Sequence, residues 1–527
     1  MRYPRYRALP LSALLFVTVL LFAPLAAHAS TRHRGALTTQ SADFEAIDAY
    51  VAAQMEAMHI PGVALGIVHG NQVVHLQGFG VANPAGQPMT AQTPLILGST
   101  SKSFTALAIM QLVEGGKVSL DAPVQRYLPW FQVGTSEMRA ASSRITVRHL
   151  LNQVSGIPTG AVEESLTGTG DETLEQEVRA LHDVALTAPV GTTYQYSNLN
   201  YTTLGLIVQK VSGQSYESYV QQHIFAPLQM RQSFISEREA MQHGMATGYR
   251  WWFGYPAPAH VPYLRGSLPA GFLISSAQDM AQYLVAQLND GRYPDASVLS
   301  SGGVAQLHHP AATMTTHGGR GDAYGMGWVI SSAGEPAIWH GGDTANFHSD
   351  VIMLPRKQLG IVVLMNVNGN LAMRTNAQGV IAQGVQRLLL GQQPPARSTF
   401  WLRYLVFDVA VVLCSSLVLW SFVRLLRRRH QPLRRRRLSL LAGLVLPLFW
   451  ELALPIWLLL DFPSLSGATW SLILLFFPDL GYWLLGLCIL LLATGGLRLG
   501  LARVGLHVVD RAPMPALASP TEALPPY

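Results

Sequence analysis

Cysteine is almost absent from this chain. Only two occur among 527 residues, Cys414 and Cys488, and both lie inside long apolar runs. A cysteine in such a run behaves as a small buried hydrophobic residue. Residues 40–392 contain no cysteine, which excludes a disulfide framework, a cysteine nucleophile and cysteine-ligated zinc from that part of the chain.

Charged residues are also scarce, at 13% of the chain, whereas 49% of the residues are hydrophobic. This composition departs from that of ordinary soluble proteins and indicates membrane segments. The net charge of +6 is a local feature, because eight arginines lie between Arg424 and Arg437 and the rest of the chain carries 28 Lys+Arg against 30 Asp+Glu. The remaining balance does not support binding to nucleic acid.

The amino terminus has the order of a targeting segment. Three arginines within the first seven residues precede an apolar run from Leu9 to Ala27, and polar residues follow. This order predicts a secretory signal peptide at 1–29, although the length of the run also suits an uncleaved amino-terminal anchor. Both interpretations place residue 40 onward outside the cytoplasm.

Long apolar runs are missing from residues 40–392, which predicts a globular domain there. Three apolar stretches follow, each near the ~20 residues that a spanning helix needs. The arginines between the first two predict that this loop is cytoplasmic. The expected order after the domain is a linker at 393–400, a transmembrane helix at 401–426, a cytoplasmic Arg-rich loop at 427–437, transmembrane helices at 438–460 and 471–493, and a cytoplasmic tail at 494–527.

The globular part combines helices and strands. Apolar spacing predicts a helix at 41–58, then two strands, 63–68 and 73–79, that meet at a Gly70-Asn71 turn. Near the domain's end it predicts four more strands and a closing helix, at 327–330, 336–340, 350–354, 361–365 and 377–390. The two ends of the domain are therefore expected to build one sheet, with the helical middle as a separate lobe.

Ser99 and Lys102 begin an apolar stretch that is predicted to be helical. A spacing of three residues places both side chains on one face of a helix. A serine hydroxyl needs a nearby base to act as a nucleophile, and a lysine serves if burial or neighbouring charge disfavours its ammonium form. By itself, the same spacing also suits a helix cap followed by a surface lysine.

Two further segments carry polar side chains between turn residues. Tyr196 and Asn198 follow a Pro-Val-Gly-Thr turn, and a tyrosine near a lysine cation is expected to have a lowered pKa and to shuttle protons. His340 precedes Gly341, Gly342 and Asp343 on a predicted strand, where the glycines leave room for a ligand and backbone N–H groups can stabilise an oxyanion.

Together these three segments resemble the serine β-lactamase and penicillin-binding-protein superfamily, in its class C-like branch of carboxypeptidases, esterases and lactamases. The resemblance covers about residues 42–391 and includes 150–157, 196–205, 269–280 and 324–328. It implies an α+β fold of the β-lactamase/transpeptidase type, with a mixed sheet flanked by helices plus a helical lobe, here followed by a three-helix transmembrane region. It also implies that no metal or organic cofactor is needed.

The resemblance assigns expected roles to seven residues. Ser99 would be the nucleophile, and Lys102 and Tyr196 the proton-handling pair. Asn198, His340, Gly342 and Asp343 would contact substrate, with the backbone N–H groups of Ser99 and Asp343 forming the oxyanion hole. His340 stands where many relatives have lysine, and a neutral imidazole holds a substrate carboxylate less firmly than an ammonium.

The expected function is a membrane-anchored serine hydrolase that cleaves an ester or amide bond. Its partners would be the bilayer and a small-molecule or peptide substrate, peptidoglycan included. An esterase or peptidase is the first expectation, and a D-alanyl-D-alanine carboxypeptidase or β-lactamase the alternative. A non-catalytic penicillin-binding-type sensor is the rival from another class.

Overall fold

The computed structural model describes residues 43–135, 139–159, 173–314, 322–428, 445–466 and 469–510. The predicted signal peptide or anchor at 1–29 lies outside these residues. So do most of the predicted Arg-rich loop and the last part of the predicted tail.

Contacts divide the chain into two compact units. The first contains the described residues up to Phe407 and takes in a second segment that ends at Asp479. The second unit contains the remaining described residues, which are mostly apolar helix.

Eight strands form the main sheet, in the order β2-β1-β14-β13-β12-β11-β10-β9. Their bounds are β1 Gly62–His69, β2 Gln72–Gly80, β9 Ala312–Thr313, β10 Asp322–Tyr324, β11 Val329–Ser331, β12 Ala337–Asp343, β13 His348–Leu354 and β14 Leu359–Met365. Short strands outside this sheet are β3 Leu95–Ile96, β4 Tyr249–Trp252, β5 Tyr255–Pro258, β6 Ile274–Ser275, β7 Arg292–Tyr293, β8 Ala296–Ser297 and β15 Val367–Asn368.

The two ends of the domain meet in this sheet, as the sequence predicted. β1 pairs with β14 in antiparallel register, with Val63 opposite Met365 and His69 opposite Leu359. The prediction of a mixed sheet was wrong for this layer, because each of its seven strand pairings is antiparallel. Tight turns join most of its successive strands, and a parallel pair would need a longer crossover. A parallel pairing does occur between β15 and β4 in a separate small sheet.

Helices cover the sheet and build the lobe beside it. Up to residue 389 they are α1 Phe44–Met58, α2 Ser101–Glu114, α3 Arg139–Ser142, α4 Val147–Leu151, α5 Leu174–Arg179, α6 Asn198–Ser212, α7 Tyr216–Val220, α8 Glu237–Gln242, α9 Ala277–Leu288, α10 Ser301–Leu307, α11 Asn370–Thr375 and α12 Gly379–Leu389. α2 is buried along nearly its whole length, from Ser101 to Met110. This helix is therefore a rigid support for the residues at its start.

The carboxy-terminal helices are α13 Phe400–Arg428, α14 Leu446–Leu448, α15 Leu454–Ser466, α16 Trp470–Phe476 and α17 Pro478–Asp510, with a π-helical turn before α15. Two spans among the described residues are long and apolar enough to cross a membrane, Phe400–Arg427 and Pro478–Leu501. The predicted span at 438–460 begins outside the described residues, so a three-helix transmembrane region stays a prediction.

The third predicted span, 471–493, does not correspond to one helix. Residues 470–476 form the separate helix α16, and Phe477 leaves helical geometry with φ −130° and ψ 59°. The physical reason is Pro478, because proline lacks an N–H group and disfavours helical conformation in the residue before it. α17 then starts at this proline and continues to Asp510, beyond the predicted end at 493.

Candidate active site

Ser99 lies in a tight turn between β3 and α2. Gly98, just before it, has φ +57°, and a Cβ there would lie 2.4 Å from the Asp343 nitrogen. A Cβ on Gly342 would likewise lie 1.9 Å from the Leu97 carbonyl oxygen. Only glycine fits at two such positions. The serine turn and the end of β12 are therefore held in direct backbone contact.

Side-chain hydrogen bonds fix the same turn to β13. Ser349 Oγ donates to the Leu97 carbonyl oxygen at 2.6 Å, and its oxygen lies 2.7 Å from Thr100 Oγ1. Both side chains are buried. Ser99 itself is only partly covered and opens into a cleft, so a substrate can reach it.

Lys102 lies on the same face of the helix as Ser99, as their spacing predicted. Its side chain is fully buried, and its Nζ lies 3.0 Å from Ser99 Oγ, 2.8 Å from Asn198 Oδ1 and 2.6 Å from the Ala270 carbonyl oxygen. Burial lowers the pKa of Lys102 well below its ordinary value. The alternative of a surface lysine behind a helix cap is therefore wrong.

The three hydrogen-bond partners of Lys102 Nζ are all oxygens. Amide and carbonyl oxygens can only accept hydrogen bonds, so Asn198 and Ala270 each accept an N–H group of Nζ. The third partner, Ser99 Oγ, accepts from Nζ at 3.0 Å. When the amine is neutral, as burial favours, the Ser99 hydroxyl can instead donate to Nζ across the same distance.

Tyr196 completes this side of the site. Its ring centre lies 4.8 Å from Lys102 Nζ. Burial raises the pKa of Tyr196 well above its ordinary value, and a hydrogen bond with Ser99 only partly offsets this effect. The expectation that a lysine cation lowers this pKa was wrong, because the burial of the Tyr196 hydroxyl is the largest effect and disfavours the phenolate.

His340 faces the cleft from β12, and contacts define its tautomer. Nδ1 lies 2.6 Å from the Gly341 carbonyl oxygen, which only accepts, so the proton belongs on Nδ1. Nε2 then accepts from the Tyr324 hydroxyl at 3.2 Å. Burial lowers the pKa of His340 to about 4. The ring is neutral at pH 7, as expected from the sequence.

A second polar cluster, which the sequence analysis did not identify, lies next to Asp343. His348 Nδ1 is 2.7 Å from Asp343 Oδ1, and its Nε2 is 3.0 Å from Asp350 Oδ2. Asn368 Nδ2 also donates to Asp343 Oδ1 at 2.8 Å. Although burial opposes the charge, the two carboxylates raise the pKa of His348 to about 10. His348 is therefore an imidazolium held between two carboxylates.

The sequence did contain a signal for this cluster. His348 and Asp350 are two residues apart on β13, so they share one face of that strand. β12 and β13 pair with Asp343 opposite His348. His348 and Asp350, at alternate positions on a buried strand that follows the His340–Asp343 segment, could have indicated a polar cluster beside the site.

These residues surround one cleft of about 860 Å³. Ser99, Tyr196, Asn198, His340 and Asp343 all line it, whereas Lys102 lies behind Ser99. Gly342 contributes no side chain to the cleft, but its lack of a Cβ allows β12 to pack directly against the serine turn. The structure thus brings together the seven residues that the sequence predicted.

Comparisons with known proteins agree with this arrangement. The Beta-lactamase family profile matches residues 47–386. The chain is 27% identical to protein flp of Staphylococcus aureus (strain MW2), over 82% of this chain and 85% of flp. It is 29% identical to penicillin-binding protein 4 of Amycolatopsis lactamdurans, over 60% of this chain and 82% of that protein.

A solved structure shows the same fold. The octameric penicillin-binding protein homologue from Pyrococcus abyssi superimposes with a TM-score of 0.59 at 30% identity, and the match covers 67% of this chain and 79% of that one. The chain therefore belongs to the β-lactamase family, with the α+β fold that penicillin-binding proteins share.

Proposed function

We propose that this protein is a membrane-anchored serine hydrolase that cleaves ester or amide bonds through an acyl-enzyme on Ser99. One observation carries the proposal. The Nζ of Lys102 is buried, lies 3.0 Å from Ser99 Oγ and has its other contacts with groups that only accept hydrogen bonds. A buried neutral amine in this position is a base for the serine hydroxyl.

The reaction proceeds in two halves. Ser99 Oγ bonds to the substrate's carbonyl carbon while Lys102 takes its proton, and the Tyr196 hydroxyl relays that proton to the leaving oxygen or nitrogen as the substrate's bond breaks. Water then attacks the acyl carbon and gives a proton to the same pair. The bond to Ser99 Oγ breaks, Oγ regains a proton, and the acid product leaves.

The oxyanion that forms in each half would be bound by the backbone N–H groups of Ser99 and Asp343. The close packing of Gly98 against the Asp343 nitrogen supports this assignment, because it keeps the two segments together. Preorganised donors of this kind contribute about 10²–10³-fold to the rate. His348 would act as a positioning residue, since it holds the Asp343 carboxylate from the side.

The neutral state of His340 favours an esterase or peptidase over a β-lactamase or a D-alanyl-D-alanine carboxypeptidase. A substrate carboxylate at this position would meet an uncharged ring instead of an ammonium. Asn198 and His340 would instead contact the neutral part of the substrate. Peptidoglycan, which the sequence analysis included among the expected partners, stays among the candidate substrates.

Membrane anchoring is supported by two observations. Two described spans are long and apolar enough to cross a bilayer. The segment between α15 and α17 belongs to the hydrolase unit, as expected if the domain and this loop lie on the same, extracytoplasmic face.

The test uses the full-length chain with p-nitrophenyl acetate and nitrocefin, beside Ser99→Ala and Tyr196→Phe. We expect ester turnover in the wild type, its loss in Ser99→Ala, a large reduction in Tyr196→Phe, and slow or no nitrocefin hydrolysis. Wild-type rates in Ser99→Ala would exclude the mechanism. A stable adduct on Ser99 without turnover would replace the hydrolase with the sensor.

A further inference from the structure

We infer that the cleft takes substrates with a long apolar acyl chain, and that helix α16 supplies part of the wall that binds this chain. The inference rests on the proposed function and names its substrate class. Leu475 and Phe476, at the end of α16, line the same cleft as Ser99, Tyr196 and His340. They come from a segment about a hundred residues beyond the other lining residues in sequence.

Specific contacts hold the end of α16 in place. Arg250 on β4 donates from Nη1 to the Leu475 carbonyl oxygen at 2.8 Å. This bond satisfies one of the carbonyl groups that a helix leaves unpaired at its carboxy terminus. Asp479 Oδ2 accepts from the backbone N–H of Phe253, just after β4, at 3.3 Å. Both ends of the Leu475–Pro478 connection are thereby tied to the hydrolase unit.

A short stretch of chain joins this wall to an apolar helix. Leu475 precedes Pro478, the first residue of α17, by three residues. Three residues span at most about 10 Å. If α17 spans a bilayer, as proposed, the cleft wall at Leu475 lies close to that bilayer's surface. An acyl chain that leaves a membrane would meet Leu475 and Phe476 on its way to Ser99.

The rest of the cleft suits a neutral, apolar group. Apolar side chains contribute much of its described lining, among them Val261, Pro262, Leu264, Phe272, Met314 and Met373. The described lining contains no lysine or arginine. Its cation, His348, is already flanked by Asp343 and Asp350. A carboxylate-bearing substrate thus finds no unpaired cation in the described lining, whereas an acyl chain finds apolar surface.

The experiment compares p-nitrophenyl octanoate with p-nitrophenyl acetate, using the full-length chain in lipid nanodiscs. The changed protein is the double variant Leu475→Ser with Phe476→Ser. Its matched control is Leu474→Ser, which removes the same kind of side chain from α16 at a position outside the cleft lining.

We expect the wild type to prefer octanoate. In the double variant, the octanoate-to-acetate ratio of kcat/KM should fall about tenfold, the effect of about two buried methylene groups. Acetate turnover should stay within about twofold, and Leu474→Ser should keep the wild-type ratio. An unchanged ratio in the double variant, or a wild type that prefers acetate, would overturn the inference.

A second variant covers the case in which the double variant does not fold. Phe476→Trp fills the cleft wall instead of emptying it, so the longest ester accepted should become shorter, with acetate turnover retained. An unaltered chain-length profile in this variant would contradict the inference. Absence of acetate turnover in the wild type is a different result, because it would refute the proposed hydrolase itself.

Discussion

The site contains two buried bases whose pKa values shift in opposite directions. Lys102 is fully buried, and its partners are a hydroxyl, an amide oxygen and a backbone carbonyl. His348 is 6% exposed, and its partners are the carboxylates of Asp343 and Asp350. Burial lowers the pKa of Lys102, whereas the carboxylates raise the pKa of His348 to about 10.

The comparison shows that neighbouring charges, and not burial alone, set the direction of each pKa shift. Burial disfavours the charged form of Lys102, whose partners are uncharged, whereas two carboxylates favour the charged form of His348. Each state suits its proposed role. Neutral Lys102 can accept the proton of Ser99, and the His348 cation can hold the Asp343 carboxylate beside the oxyanion hole.

The largest expected effect comes from making Lys102 permanently charged. In Lys102→Arg the guanidinium cannot lose its proton, so it cannot act as a base. Because general-base catalysis contributes about 10²–10⁴-fold, we expect kcat/KM for p-nitrophenyl acetate to fall about 10³-fold.

The control for this variant is Lys102→Met, which is neutral and apolar. It should be equally inactive but more stable to urea than Lys102→Arg, because it buries no charge. If Lys102→Arg kept more than a tenth of the wild-type activity, a neutral lysine would not be the base.

The next effect comes from giving Lys102 a carboxylate like those beside His348. Asn198→Asp places one at the position that now lies 2.8 Å from Nζ. An opposite charge at this distance raises a lysine pKa by about 1–3 units. The acid limb of the kcat/KM profile should move to higher pH by a similar amount.

Gln195→Glu is the matched control, since it adds the same charge to the cleft lining at a residue that is bonded to Thr187. Its shift should be smaller than that of Asn198→Asp. Equal shifts in both variants would show a general field effect instead of a contact with Lys102.

A third change removes the His348 cation. His348→Gln leaves the carboxylates of Asp343 and Asp350 without this cation. We expect the free energy of unfolding to fall by about 1–3 kcal/mol. This is less than the cost of breaking a fully buried ion pair, because the Asp343 side chain is 33% exposed. Adding Asp350→Asn should restore part of the loss, which urea unfolding of both variants would measure.

The same residue predicts a pH dependence. The folded pKa of about 10 lies above the ordinary 6.5, so the folded state keeps a proton that the unfolded state has lost. This stabilisation is complete below pH 6.5 and disappears as pH rises through 10. Urea unfolding of the wild type should weaken across this window more than that of His348→Gln, and parallel curves would contradict the assignment.

The smallest effect is expected at an exposed ion pair. Arg148 binds Asp121 at 2.7 Å and 2.9 Å, but the Asp121 side chain is 74% exposed. Asp121→Asn should therefore cost only about 0.2–1 kcal/mol of unfolding free energy. A loss as large as that of His348→Gln would show that burial does not explain the different contributions of this ion pair and the Asp343–His348–Asp350 cluster to stability.

Local patterns predicted the parts of the fold that depend on local contacts. The Gly70-Asn71 turn joins β1 and β2 as expected, and the spacing of Ser99 and Lys102 places them on one face. The break between α16 and α17 could also have been predicted from the sequence, because Pro478 disfavours helical geometry in the residue before it. The hydrophobicity of the apolar run alone does not indicate this break.

Long-range contacts explain what was missed. The buried state of Lys102 depends on the carbonyl of Ala270, 168 residues away. The charge of His348 depends on the pairing of β12 with β13, and the position of α16 depends on Arg250, 225 residues before its partner. Local residue spacing does not show which residues that lie far apart in sequence come into contact in the fold.

The central claim is that neutral Lys102 activates Ser99. The most direct test measures the rate at which a fluorophosphonate labels the wild-type chain as pH is varied, with peptide mass spectrometry to locate the label. We predict labelling of Ser99, with a half-maximal rate at a pH well below 10.5, the ordinary pKa of lysine. Labelling of another residue, or a midpoint near 10.5, would contradict the claim.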